Sequence, residues 1–137
     1  MLFNSIAFLL FFGVFITIIV QSSSITISLF IPLAAAGILS LWQIFPYALG
    51  ANVGTTVTAI LASLVSGTPA PLAVAFSHLL FNMFGILIIW PIPFVRRVPV
   101  TLAQRFAALS MKNRIIQFIY VLVVFFLIPL SLIFLMR

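Results

Sequence analysis

Gln21-Ser22-Ser23-Ser24 places four consecutive polar side chains between two apolar runs, and Thr26 and Ser28 follow. A helix restarting near Ser24 puts Ser24 and Ser28 on one face, and its free N–H groups suit an anion. Gln21 and the serines add neutral oxygens. Carbonyl and hydroxyl oxygens suit a hard, weakly held cation such as Na⁺, and broken helices at membrane depth combine such ligands with half-helix ends. The competing reading is that these hydroxyls bond back to their own carbonyls or glue helices together.

A second constellation is Asn52, Thr55, Thr56 and Thr58, set in Gly50-Ala51-Asn52-Val53-Gly54-Thr55-Thr56-Val57-Thr58. A helical turn brings Asn52 to Thr55 and Thr56, while Gly50 and Gly54 either expose backbone to a ligand or form a G-x-x-x-G packing pair. A third comprises Ser77, His78 and Asn82. Ala75, His78, Asn82 and Gly85 make a small and polar stripe at helical spacing. His78 is the one histidine, the residue type able to switch charge near neutral pH. It reads either as a proton-coupling group or as a neutral histidine bonded between helices, with Asn82 as its neighbour.

What is missing narrows the chemistry. The chain has no Asp, no Glu and no Cys, so paired-carboxylate catalysis, hard divalent-metal cages, thiolates and disulfides are excluded. A Ser nucleophile served by His78 would be an intramembrane hydrolase, but the serines sit in a triple run and no G-x-S-x-G elbow is present. An enzyme is not expected, and neither is an organic cofactor.

The elements that position these groups must be membrane helices. Of 137 residues, 66% are hydrophobic and 4% charged, with a mean hydropathy of +1.48, whereas soluble domains carry roughly 25% charged residues. At about 20 residues per span the chain holds a single all-α polytopic bundle. Met1 to Ser5 offer no basic n-region, so a signal peptide is not expected. Residues 1–43 read as a broken-helix or re-entrant hairpin around Gln21 to Ser24, its two apolar arms too short for ordinary spans. Residues 44–66 form a helix carrying the second constellation, with a further break expected near Gly50 to Thr58. Ser66-Gly67-Thr68-Pro69-Ala70-Pro71 is a turn, 72–93 a span, 94–114 a polar loop and 115–136 a last span in which Pro129 predicts a kink. Five of the six basic residues fall in 94–114, which assigns that loop to the cytoplasm. The charges read as orienting charges, so nucleic acid is not an expected partner.

The order and spacing of Gln21-Ser22-Ser23-Ser24, Gly50-Ala51-Asn52-Val53-Gly54-Thr55-Thr56, Ser77-His78, Phe81-Asn82, Gly85-Ile86-Leu87, Pro91-Ile92-Pro93-Phe94 and Ile128-Pro129 resemble the second inverted half of the type II sodium-dependent phosphate cotransporter family. The resemblance implies uptake of inorganic phosphate driven by Na⁺ across the plasma membrane. It implies that Gln21, Ser22, Ser23 and Ser24 contribute to phosphate and Na⁺ binding, and that Asn52, Thr55 and Thr56 line the same site. Gln21, Ser23, Ser24 and Thr55 are the expected sodium ligands, with His78 and Asn82 behind them.

Family members carry two such halves, whereas Gln-Ser-Ser-Ser occurs once here. The expectation is a fragment of a longer transporter, or a half completed by a second copy or by a separate first-half chain. The alternative from another class is a non-transporting membrane assembly or regulatory subunit whose polar motifs serve helix packing.

Overall fold

A computed structural model describes residues 5–136; the hairpin assigned to 1–43 begins outside them. The described chain is helical, with no strand among the described residues: α1 (Ile6–Val20), α2 (Ser23–Ser28), α3 (Phe30–Ala35), α4 (Leu41–Leu64), α5 (Pro69–Ile89), α6 (Pro93–Lys112), α7 (Arg114–Leu122), a π-helical segment (Val123–Leu127) and α8 (Ile128–Leu135). They form two compact units, one through Arg96 and one from Arg97.

In the first unit the expected helix break falls at Gln21-Ser22. Gln21 adopts a left-handed conformation at φ 59, and its N–H donates to the Thr17 carbonyl at 2.7 Å. Ser22 is extended, and its Oγ accepts the Ile25 N–H at 3.3 Å, which caps α2. Pro32 has no N–H for the Ser28 carbonyl, which accounts for the interruption at Leu29 between α2 and α3. The Ile38 N–H bonded to Leu33 O and the Gly37 N–H bonded to Ala34 O, with Gly37 at φ 71, close α3 in a Schellman motif. The chain has folded back on itself by then. Phe12 and Phe30 would stand about 27 Å apart along a continuous helix, yet their rings lie 6.0 and 3.8 Å from the Tyr47 ring. Leu9, Phe30 and Tyr47 form the core of this unit.

The break expected within Gly50 to Thr58 does not occur. The helix α4 runs unbroken from Leu41 to Leu64, because its glycines meet another helix and its hydroxyls bond to its own backbone. A Cβ at Gly50 would collide with the Leu10 carbonyl, one at Gly13 with the Tyr47 carbonyl, and one at Gly54 would stand 2.7 Å from Val14 O. Leu10 to Val14 climbs α1 as Gly50 to Gly54 climbs α4, so the two helices run parallel with backbones in contact, as small residues allow. Of the two readings of Gly50 and Gly54, helix packing describes this contact.

Gly67, at φ 67, makes the expected turn, and Pro69 opens α5. Along α5 only Ala75 is buried.

The segment 94–114, expected as a loop, is instead mostly the helix α6. Its charges and prolines disguise an amphipathic period, and Pro93 at the start fits a helix N-terminus. Asn113 then caps α7, its Oδ1 accepting the Ile115 N–H at 3.0 Å. The disturbance expected at Pro129 appears as the π-helical segment just before it. Pro129 cannot donate to the Phe125 carbonyl, and the widened turn accommodates its ring. Helix α4, helix α5 and the run Arg114–Leu135 are long and apolar enough to cross a membrane; α1 and the Ser23–Ala35 pair are shorter.

Candidate functional site

Because α1 runs parallel to α4 and stops at Gln21, its last turn is delivered beside the C-terminal half of α4. A cleft of about 420 Å³ opens there, lined by Ile18 and Gln21 from α1 and by Thr55, Thr58, Ala59, Leu61 and Ala62 from α4. Its polar groups are one carboxamide and two hydroxyls. The Thr55 hydroxyl donates to Ala51 O at 3.1 Å and the Thr58 hydroxyl to Thr55 O at 2.8 Å. A hydroxyl whose proton is committed to the backbone offers only lone pairs to a ligand. Two such hydroxyls and an amide oxygen suit a cation, and nothing acidic competes for it, since Asp and Glu are absent from the chain.

The other sequence-derived residues are placed differently. Ser22 is the cap of α2, and its carbonyl accepts from Thr26 Oγ1. Ser23 is half-buried and Ser24 exposed, one and two residues past the cap; neither lines the cleft. Thr56 is fully buried and donates to Val53 O at 2.6 Å. Asn52 is exposed, and its carbonyl accepts from Asn82 Nδ2 at 3.4 Å, which ties α5 to α4. The structure therefore brings Gln21 to Thr55, sends Thr56 into helix packing and sets Asn52 toward Asn82.

His78 lies in a different groove. That groove, of about 620 Å³, runs between α4 and α5 past Ala59, Ser63 and Ala75, with little polar surface besides. Ala59 and Ala62 line both cavities, so the two adjoin there, while His78 lines the groove and not the Gln21 cleft. No cluster of three or more His, Cys, Asp or Glu side chains that could hold a metal ion exists among the described residues.

Two residues gain weight from the structure. Thr58 joins Thr55 in the cleft, a pairing that the three-residue spacing on one helix already allows. Thr17 had no distinguishing signal in the sequence. It is fully buried against Gly54, and its hydroxyl has no hydrogen-bond partner.

The comparisons with known proteins agree with the resemblance drawn from the motifs. The family profile described as Na⁺/Pi-cotransporter matches residues 3–135. The chain is 43% identical over 122 residues to sodium-dependent phosphate transport protein 2B of Bos taurus, covering 87% of this chain and 18% of that protein. It is 39% identical to protein 2C of Rattus norvegicus, with 87% and 20% covered. For protein 2A of Oryctolagus cuniculus the identity is also 39%, with 85% and 18% covered. The chain thus spans about a fifth of the length of these relatives. No solved structure matches it. With the match running over nearly its whole length, this chain belongs to the Na⁺/Pi-cotransporter family.

Proposed function

We infer that the chain supplies one half of a sodium-coupled transporter of inorganic phosphate in the plasma membrane, the other half coming from a second copy or another segment. The observation that carries this reading is the meeting of Gln21, from the helix break, with Thr55 and Thr58 in one cleft. Their lone-pair oxygens favour a weakly held cation over an anion, and a half-helix C-terminus is a recurrent sodium ligand in transporters. The relatives' names, sodium-dependent phosphate transport proteins, support the same pairing of ions.

In this reading Na⁺ sits in the cleft, and phosphate lies beyond it against Ser22, Ser23 and Ser24, with Asn52 and Thr56 supporting the wall. Coupling follows from electrostatics: burying an anion without a compensating cation costs several kcal/mol. The basic segment 94–114 faces the cytoplasm. The packing alternative describes Gly50 and Gly54 and the back-bonded protons of Thr55, Thr56 and Thr58; what supports the sodium reading is that Thr55 and Thr58 line the same cleft as Gln21.

Radiolabelled phosphate uptake into proteoliposomes, with and without an inward Na⁺ gradient, tests the reading. Uptake that follows Na⁺ and is lost in Thr55→Val supports it. Uptake indifferent to Na⁺, or unchanged in Thr55→Val, overturns it.

A further inference from the structure

The second unit carries a feature that phosphate transport does not use. At about 100° per residue, the side chains of α6 divide into three strips. Arg97, Arg105 and Lys112 fall within about 80° of one another, and all three are exposed. The adjoining strip is apolar and equally open: Val98 is 42% exposed, Leu102 60% and Leu109 52%. Val100 and Ser110, buried to 3% and 4%, occupy the far side. No acidic side chain exists anywhere in the chain to neutralise the basic strip.

A basic strip beside an exposed apolar strip matches the boundary between lipid headgroups and acyl chains. Leu and Val side chains enter the acyl edge there, while guanidinium and ammonium groups meet phosphates. In the first unit Arg96 stacks on Trp90, with its guanidinium carbon 5.5 Å from the ring centroid, a cation–π contact on a residue type enriched at membrane interfaces.

We propose that α6 is an in-plane interfacial helix that recruits anionic phospholipids through Arg97, Arg105 and Lys112. Charge complementarity selects the occupant: an acidic headgroup is attracted to each basic side chain, whereas a zwitterionic one gains little. The proposal is independent of the cleft at Gln21 and holds whether or not the chain transports phosphate.

The chain has no cysteine, so Leu102→Cys and Ala108→Cys each accept a single fluorophore on the intact protein in lipid vesicles. Ala108 lies within the basic strip. The expected result is several-fold weaker quenching by aqueous acrylamide at position 102 than at 108. Energy transfer from labelled lipid to the probe at 108 should be several-fold greater for phosphatidylglycerol than for phosphatidylcholine. That preference disappears when Arg97, Arg105 and Lys112 are all changed to Gln, and it survives Arg97→Lys with Arg105→Lys. Equal quenching at the two positions, which would leave the face to a protein partner, overturns the proposal. So does a lipid preference that is absent from the start or unchanged in the Gln variant.

Discussion

Gly54 of α4 and Thr17 of α1 are in contact: a Cβ at Gly54 would stand 2.7 Å from the Thr17 Cβ. This contact is the last of a series in which the two backbones approach at Gly13, Gly50 and Gly54, and it fixes the height at which Gln21 meets Thr55. Any side chain inserted there moves the end of α1 away from the cleft.

Gly50→Ala and Gly54→Ala should therefore each destabilise the first unit by about 1–3 kcal/mol, the usual range for overpacking. Gly85→Ala is the contrasting case. Nothing lies within 4 Å of a Cβ there, and Ala favours a helix over Gly by about 1 kcal/mol. Thermal unfolding in detergent, followed by circular dichroism, should show the first two falling and the third level or rising.

Thr17→Val replaces a buried, unpaired hydroxyl with a methyl group of the same shape. Relieving an unsatisfied buried donor is worth about 1–3 kcal/mol, so this variant should unfold at a higher temperature than the parent. A lower unfolding temperature would show that the hydroxyl has a partner.

At Gln21 stability and function should part. Gly tolerates the left-handed conformation at φ 59, which strains other residues by about 1–2 kcal/mol. Gln21→Gly is thus expected to stabilise the helix break while deleting the carboxamide from the cleft. The measurement is paired: unfolding temperature up, sodium-dependent uptake lost.

Thr58→Val should raise the Na⁺ concentration for half-maximal uptake about tenfold, equivalent to about 1.4 kcal/mol. Thr56→Val, one residue and so about 100° round the helix from Thr55 and buried in packing, should alter unfolding more than sodium affinity. Sodium titrations of phosphate uptake in the two variants distinguish these effects.

His78→Gln should leave the sodium dependence of uptake in place, because His78 lines the groove between α4 and α5 and not the cleft. Uptake that persists without Na⁺ and fails in this variant would instead identify proton coupling through His78.

Much of the architecture is legible without coordinates because it is local. Four polar residues between short apolar arms are enough to place the break at Gln21-Ser22. Gly67 followed by Pro69 marks a turn by backbone preference alone, and hydropathy with length marks α4, α5 and the run after Arg114. The basic helix α6 was less legible, since a composition rich in Arg, Lys and Pro reads as a loop unless its angular pattern is drawn out.

Residue types and their order determined that this chain is built of membrane helices and brings no carboxylate or thiol side chain of its own, and they carried the family resemblance. Only the tertiary structure decided what Gly50 and Gly54 are for, since a glycine pair permits either a helix break or a close helix contact, and the choice depends on α1 arriving alongside. It likewise decided that Thr55 and Thr58 join Gln21 while Thr56 does not. One residue along a helix is a rotation of about 100°, enough to turn a hydroxyl from the cleft into the packing, and the neighbouring helix that gives those two directions different meanings is distant in the sequence.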